Sequence, residues 1–155
     1  MKVPMPQTPP ARADFGYRLF LIARLWRREI DDVLGRYGLS AATWQPLLHV
    51  TRLGDGIRQR DLADSLGVEG SSLAPLLDTL EGQGVIERRE AGADRTVHLT
   101  ADGRTLVEGI QGVVAEVRER LLDGVSDQDM IVCLDVLSRI EATIAAGRPE
   151  AAGGR

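Results

Sequence analysis

The sequence predicts a mainly α-helical fold with one small β-hairpin, and two observations lead to this prediction. Amphipathic helical patterns fill both ends of the 155-residue chain. Between them, residues 57–100 have the order helix, tight turn, helix and two-stranded hairpin. This order predicts a winged helix-turn-helix flanked by further helices, and such a fold presents its second helix to the major groove of DNA.

The first helical pattern covers residues 14–38. Large apolar or aromatic side chains recur there at intervals of three and four, which is the spacing of one helix face. We expect this segment to be a dimerisation helix that ends at Gly38. Residues 1–13 contain four prolines and no apolar stretch, which predicts a flexible arm rather than a secretory signal. The residues of the helical stripe are Phe15, Leu19, Ile22, Trp26, Ile30, Val33 and Tyr37.

Residues 39–100 form the predicted DNA-binding region. Ser40 is placed to cap its first helix, in which Pro46 lies deep enough to predict a kink. The next helix covers residues 60–66. Gly67 follows it and supplies the turn of the helix-turn-helix, because glycine adopts a positive φ without steric cost.

The second helix of the motif is predicted from about residue 72 to residue 83, ending before Gly84. With Ser72 as its cap, Pro75 falls in the first turn, where the missing N–H of proline costs little. The hairpin follows, with strands at residues 85–89 and 96–99 and a tip at residues 90–95.

Two more helices are predicted within residues 101–146. Thr100 is placed to cap the first and Ser126 the second, and both helices carry apolar stripes. The remaining residues, 147–155, read as a frayed tail. Because the terminal helices cannot all bury their apolar faces within one chain, we expect a homodimer whose two recognition helices suit a palindromic site.

Composition limits the classes of function. No apolar run reaches the ~20 residues that span a bilayer, so we expect no membrane segment. The single cysteine, Cys133, suits a reducing cytoplasm, and the sequence contains no paired cysteines or His/Cys cluster that predicts a metal or cofactor site. The net charge of −4 gives no support to DNA binding by itself, but binding depends on where the basic groups lie.

The chain resembles the MarR family of bacterial transcription regulators, and within it the SlyA-like branch. The resemblance covers residues 16 to about 144 and depends on the order and spacing of short matching pieces. It implies a homodimer that binds pseudo-palindromic promoter DNA and releases it when a small aromatic or anionic effector binds. The matching pieces include Gly16, Arg18-Leu19, Ala23-Arg24-Leu25-Trp26-Arg27, Leu39-Ser40, Thr43-Trp44, Leu62-Ala63, Leu66-Gly67-Val68-Glu69, Ser72-Leu73, Leu77-Asp78, Leu80-Glu81, Gly84-Val85-Ile86, Asp94-Arg95 and Leu99-Thr100.

The chain departs from the family pattern at two places. The wing of the family usually has Asp-Arg-Arg, whereas here Asp94-Arg95 is followed by Thr96, and the short run to Thr100 predicts a stubby wing. SlyA-like proteins carry an arginine in the recognition helix where this chain has Pro75. Residues 71–77 instead resemble the hydroperoxide-sensing branch, whose N-terminal sensing cysteine is missing here.

Arginines and hydroxyl groups are the candidate DNA contacts. Arg95 at the hairpin is the strongest candidate, since such an arginine enters narrow minor grooves; pairing with Asp94 is the alternative. The hydroxyl groups of the second helix and its free amides meet phosphates or base edges, or only cap the helix. The recognition helix contains no lysine or arginine, which excludes a bidentate arginine–guanine contact from it. The remaining candidates are Arg58, Gln59, Arg60, Ser71, Ser72, Thr79 and Arg88, with at most one of Arg88 and Arg89 facing DNA.

Candidate effector contacts come from the first two helices. Aromatic rings with a nearby cation suit a benzoate-like anion. Core packing is the alternative for the tryptophans, and a structural hydrogen bond is the alternative for the histidine. The candidates are Tyr17, Arg18, Trp26, Trp44 and His49.

Two other functions remain possible, and a third has no support in the sequence. A redox-responsive regulator would use Cys133, although a buried structural thiol is the expectation for that residue. A dimeric interaction module with weak DNA binding is compatible with the acidic balance. Nothing in the sequence supports an enzyme, since no phosphate-binding loop, metal cluster or GxSxG motif is present.

Overall fold

Seven helices and one three-stranded sheet make up residues 10–147, the part of the chain that this computed structural model describes. The predicted fold class, a winged helix with helices on either side, is confirmed. None of the described helices is both long and apolar enough to cross a membrane. In chain order the elements are α1 (Pro10–Ala13), α2 (Phe15–Gly35), α3 (Ala41–Leu53), β1 (Ile57–Arg58), α4 (Gln59–Leu66), α5 (Gly70–Gly82), β2 (Ile86–Ala91), β3 (Asp94–Leu99), α6 (Ala101–Leu121) and α7 (Asp127–Gly147).

The predicted terminal arm and tail fall mostly outside the described residues. Residues 1–9 and 148–155 lie outside them. The prediction of a flexible arm is wrong for Pro10–Ala13, which form the helical turn α1. A proline at the first position favours this, because it has no N–H to leave unsatisfied and its φ already suits a helix.

The core of residues 10–117 is built from leucines that α2, α3, α4 and α5 each contribute. These side chains are fully or almost fully buried, and Val97 of β3 and Ile110 of α6 join them. This core fixes the helix-turn-helix, because α4 and α5 both bury one face in it. The leucines are Leu34, Leu47, Leu62, Leu73, Leu77 and Leu80.

The sheet has the order β1-β3-β2 and is antiparallel throughout. Its hairpin is longer than predicted: the ladder continues to the pair Ala91 and Asp94, so only Gly92 and Ala93 form the turn, with Gly92 at φ 66°. The predicted tip at 90–95 is therefore wrong for four of its six positions. A two-residue turn of this kind needs a positive φ, which glycine supplies.

The recognition helix α5 starts earlier than predicted. Glu69 is its N-cap, with an extended backbone at φ −73° and ψ 149°, and its carbonyl oxygen accepts from the N–H of Ser72 at 2.9 Å. Ser72 is therefore not the cap, and it lies with Ser71 inside the first turn. As a consequence Pro75 lies beyond the first turn, one turn deeper than predicted.

The hairpin and α6 meet at a tightly fitted joint. Thr100 caps α6 as predicted, since its Oγ1 accepts from the N–H of Gly103 at 3.0 Å and donates to the carbonyl of Gly84 at 2.6 Å. A Cβ at position 103 would lie 1.9 Å from the carbonyl oxygen of Val85. Only glycine fits there, and the start of α6 is held against the start of the hairpin.

Residues 118–147 form a separate unit that contains α7. None of the α7 side chains is buried in the single chain. Cys133 is exposed, so the expectation of a buried thiol is wrong. The reason is that α7 exposes much of its apolar surface, including Ile131, Val132, Leu134, Val136 and Ile144.

Candidate nucleic-acid interface

One face of α5 is buried and the opposite face is free. Leu73, Leu77 and Leu80 point into the core. The opposite face carries hydroxyl groups, a proline ring and one carboxylate, Asp78, and no cation; its other exposed side chains are Ser71, Ser72, Pro75 and Thr79. The predicted contacts Ser71, Ser72 and Thr79 therefore share one accessible face.

Pro75 changes the hydrogen bonding of this face. Because proline has no N–H, the carbonyl oxygen of Ser71 lacks the hydrogen bond that position 75 would otherwise donate to it. One turn later, Thr79 Oγ1 donates to the carbonyl oxygen of Pro75 at 3.0 Å. The hydroxyl of Thr79 is thereby engaged within the helix, which leaves its methyl group unengaged.

Arg88 of β2 is engaged within the protein. Its side chain is only 8% exposed, and its guanidinium Nη2 lies 2.8 Å from Glu81 Oε2 and 2.5 Å from Asp78 Oδ1. Its backbone N–H donates to Glu81 Oε1 at 2.9 Å. The hydrogen bonds from Arg88 lower the pKa of Glu81 below its ordinary value, and hydrogen bonding to Glu81 raises that of Arg88. Of the two neighbouring arginines, Arg88 is thus the one turned toward α5.

The other face of the sheet carries a row of polar side chains. Thr96 of β3 is paired with Arg58 of β1 on one side and with Arg89 of β2 on the other. Residues paired across antiparallel strands project from the same face, so the two arginines flank Thr96. Arg89 is 62% exposed with Glu87 as its partner, and Arg58 is exposed with no ion-pair partner within the described residues.

The sequence did not reveal this row, which we call the outer arginine row (Arg58, Thr96 and Arg89). The strand β1 has only two residues, too few for a periodic pattern, and the orientation of Arg89 depends on the register of the hairpin. The signal that would have indicated this row is the dipeptide Ile57-Arg58 before α4, which pairs as a short strand with Thr96-Val97.

Arg95 and Arg60 lie around the tip of the wing. Arg95 Nε donates to Glu90 Oε1 at 2.9 Å, and the side chain stays 51% exposed. Arg60 Nε lies 3.4 Å from Asp94 Oδ2, which ties the start of α4 to the wing. Gln59 lines a cleft of about 270 Å³ at this junction, and its Oε1 is buried without a hydrogen-bond donor.

Two of the predicted effector contacts, Trp44 and His49, form hydrogen bonds between helices. Trp44 is 7% exposed, and its Nε1 donates to Asp31 Oδ1 at 2.9 Å, which joins α3 to α2. His49 Nδ1 lies 2.7 Å from Ser65 Oγ, which joins α3 to α4. Burial, then Arg52 and Arg27, lower the pKa of His49.

The remaining predicted effector contacts lie along α2. Tyr17 and Arg18 are exposed, and Trp26 is half-buried. Tyr17 lines a cleft of about 310 Å³ that contains none of the other four predicted residues; its lining is Tyr17, Phe20, Leu21 and Arg24.

A larger apolar cleft lies between α6 and the C-terminal end of α2. Its volume is about 430 Å³, and it contains none of the predicted effector contacts. The tyrosine and threonine hydroxyls are its only side-chain polar groups. The lining residues are Leu34, Tyr37, Leu39, Thr105, Leu106, Gly109, Ile110 and Val113. The sequence did not reveal the cleft, because Tyr37 and three residues of α6 belong to helical stripes that are typical of core packing. The three residues of α6 are Leu106, Ile110 and Val113.

Among the described residues, no group of three or more His, Cys, Asp or Glu side chains is arranged to hold a metal ion.

Comparison with known proteins agrees with this architecture. A family model described as MarR family matches residues 37–95. The crystal structure of the transcriptional regulator PA3341 is 39% identical in sequence and superposes with a TM-score of 0.79; the match covers 85% of this chain and 98% of that one.

Two more distant structures have the same fold. The DNA complex of MepR from Staphylococcus aureus is 21% identical with a TM-score of 0.70, covering 84% of this chain and 97% of that one. CouR from Rhodococcus jostii RHA1, bound to p-coumaroyl-CoA, is 22% identical with a TM-score of 0.73, covering 86% of this chain and 95% of that one.

Proposed function

This chain belongs to the MarR family of transcriptional regulators, and from this premise we propose that it is a homodimer that binds a pseudo-palindromic promoter site. In this proposal α5 enters the major groove and the wing contacts the flanking DNA. The observation that carries it is the free, cation-free face of α5 beside exposed arginines on the wing. We further propose that a small apolar or aromatic effector releases the DNA. Membership of the SlyA-like branch stays a prediction.

The arginines around α5 supply the contacts to the DNA backbone. The outer arginine row and Arg60 offer guanidinium groups to phosphates, and Arg95 enters the minor groove. The ion pairs of Arg89 and Arg95 are exposed, and exposed pairs contribute only about 0–1 kcal/mol, so phosphates can replace their carboxylate partners. Arg88 is left out of this set, since its guanidinium already binds Glu81 and Asp78.

Ser71 and Ser72 contribute from the first turn of α5. Neither caps the helix, so their hydroxyl groups are free for the DNA. The N–H groups of Gly70 and Ser71 precede the first hydrogen bonds of the helix, which Ser72 and Leu73 donate to the Glu69 carbonyl. Together with the helix dipole, these two N–H groups favour an anion. We infer that this turn binds a phosphate or the edge of a base.

Homodimerisation is supported by the apolar surface that the single chain leaves exposed. In α2 the exposed residues include Phe20, which is 80% exposed, together with Phe15, Tyr17, Leu19, Ile22 and Leu25. The exposed apolar surface of α7 adds to it. Exposed apolar surface on each of these helices is typical of interfaces. A two-fold dimer would present two copies of α5 to successive turns of the duplex.

The apolar cleft between α6 and α2 is the effector site in this proposal. Its lining carries no charge, which favours an aromatic or apolar ligand over an anion. Tyr37 and Thr105 offer one hydroxyl group each for a polar substituent. The related CouR binds p-coumaroyl-CoA, whose acyl group is aromatic. The anionic effector and the contacts from Tyr17, Arg18, Trp26, Trp44 and His49 remain the second choice.

A redox response is a second candidate, because the Cys133 thiol is exposed in the single chain. If peroxide treatment released DNA from the parent protein but not from Cys133→Ser, a redox regulator would replace the effector-responsive one. Equal release from both proteins would remove this candidate.

The test of DNA binding is selection of bound duplexes from a random pool at two salt concentrations. We expect an inverted repeat, with an affinity that falls steeply as salt rises because phosphate contacts release counterions. Arg95→Ala should weaken binding to the recovered duplex. Arg28→Ala is the matched control, since Arg28 is an exposed arginine of α2 with a weak pair to Asp32 at 4.0 Å. Failure to enrich any sequence would favour a dimeric interaction module with weak DNA binding.

A further inference from the structure

We propose that α5 recognises the 5-methyl groups of thymine through the ring of Pro75 and the methyl group of Thr79. This inference rests on the DNA binding proposed above and names the base edge that the recognition helix selects. Three features of α5 lead to it: the shared position of the two side chains, the engaged hydroxyl of Thr79, and the absence of a cation on the helix.

The two side chains lie together on the accessible face of the helix. They are four residues apart, which stacks them one turn above the other on the same side. Both are exposed, and the opposite side of α5 is anchored in the core through Leu73 and Leu77. The pair therefore occupies the middle of the face that would meet the floor of the major groove.

The surface of this pair is mainly hydrocarbon. Pro75 has neither a backbone N–H nor a polar side-chain atom. Thr79 donates its hydroxyl to the Pro75 carbonyl at 3.0 Å, so its donor is used inside the helix. What remains for a base edge is a pyrrolidine ring beside a methyl group.

No cation on α5 competes with this surface. The helix has no lysine or arginine, and therefore no bidentate donor for guanine O6 and N7. Its carboxylates at Asp78 and Glu81 are both paired with Arg88. Thymine is the base that presents a hydrocarbon group in the major groove. Apolar contact between the pair and thymine methyl groups is thus the readout that this surface offers.

Replacing thymine with deoxyuridine tests the proposal, because it removes only the methyl group. The probe is the duplex that the parent protein selects from the random pool, prepared with thymine and with single deoxyuridine substitutions along each half-site. We expect about fourfold weaker binding for each recognised methyl group, the factor that corresponds to burying one methylene-sized group.

Two substitutions at one position provide a matched pair. Thr79→Ser keeps the hydroxyl and its bond to Pro75 but removes the methyl group, so the penalty for deoxyuridine at the facing position should disappear. Thr79→Val keeps methyl groups and loses the hydroxyl, so the penalty should remain. Pro75→Ala should reduce the penalty at the neighbouring position, because only the Cβ of the ring is kept. Thermal unfolding of each variant checks that the fold persists.

Two outcomes would overturn the inference while leaving DNA binding intact. One is a selected duplex that binds equally well with thymine and deoxyuridine. The other is a deoxyuridine penalty that is the same in the parent, Thr79→Ser and Pro75→Ala, because another part of the protein would then sense the methyl groups. If the pool yields no enriched sequence, the proposed function itself fails, and the inference fails with it.

Discussion

Arg88 on β2 binds both carboxylate oxygens of Glu81 on α5. Its backbone N–H donates to Oε1 at 2.9 Å, and its guanidinium lies 2.8 Å from Oε2. The same guanidinium reaches Asp78 at 2.5 Å. Two consequences follow. The recognition helix is fixed to the wing, and the positive charge of Arg88 partly offsets the two carboxylates of the helix, which would otherwise repel DNA more strongly.

Substitution of Arg88 should weaken both the fold and DNA binding without changing the number of phosphate contacts. We expect Arg88→Ala to lower the free energy of unfolding by about 1 kcal/mol, because it removes the packing of a nearly buried side chain and its ion pairs to two exposed carboxylates. Affinity for the selected duplex should fall while the slope of log affinity against log salt stays nearly unchanged.

Arg89→Ala is the matched control, since Arg89 is the exposed neighbour. There the salt slope should decrease by about one phosphate contact, with little change in stability. If Arg88→Ala changed the slope as much as Arg89→Ala does, Arg88 would itself be a phosphate contact.

The pH dependence of stability should include a contribution from His49. Its folded-state pKa is below the ordinary 6.5, mainly because of burial and then because of Arg52 and Arg27. The unfolded chain therefore binds a proton more readily than the folded one. This stabilisation is fully present above about pH 6.5 and is lost as pH falls through the lower folded-state pKa.

Urea unfolding at a series of pH values, compared between the parent and His49→Gln, measures this contribution. We expect the parent to lose more stability than the variant between pH 7 and pH 5. Parallel pH curves for the two proteins would show that the titration of His49 is not coupled to folding.

The parts of the fold that sequence predicted best are those specified by a few neighbouring residues. Gly67 forms the predicted left-handed turn, and Thr100 forms the predicted cap, because each role needs only local geometry. The start of α5 was predicted too late, because local residue preference pointed to the wrong capping residue. Serine is the preferred cap, but the extended backbone at Glu69 decides where the helix begins.

The candidate site was less predictable, because it depends on register and on packing between distant segments. Whether Arg88 or Arg89 faces outward follows from the pairing of β2 with β3, which alternation along one strand cannot set. The apolar cleft needs α2 and α6 to be packed together before Tyr37 and Ile110 can share it. Each of these residues reads as ordinary core in the sequence.

The joint between the hairpin and α6 should tolerate no side chain at position 103. A Cβ there would lie 1.9 Å from the carbonyl oxygen of Val85, so Gly103→Ala must push the hairpin and helix apart. We expect a loss of about 1–3 kcal/mol in the free energy of unfolding, the range for overpacking in a close contact.

Gly112→Ala in the same helix is the control for helix propensity. No atom lies within 4 Å of the Cβ it would add, so alanine should stabilise the helix by about 0.5–1 kcal/mol. Chemical denaturation of both variants measures the change in the free energy of unfolding, which should be a loss for Gly103→Ala and a gain for Gly112→Ala. A Gly103→Ala protein as stable as the parent would mean that the joint is loose.

We expect Pro75 to lower the stability of the fold, and we infer that it is kept for its place on the recognition face of α5. In Pro75→Ala, an N–H returns to position 75 and can donate to the carbonyl of Ser71, and the steric conflict of a proline ring with that carbonyl is removed. We expect the free energy of unfolding to rise by about 1–3 kcal/mol, because an interior proline costs about 3 kcal/mol relative to alanine.

Pro46→Ala provides the contrast, because Pro46 is also inside a helix but is fully buried. The cavity left by its ring should offset the gain in stability. Thermal and urea unfolding of both variants would test this, and a Pro75→Ala protein less stable than its parent would show that the proline is favoured for folding rather than for contact with a partner.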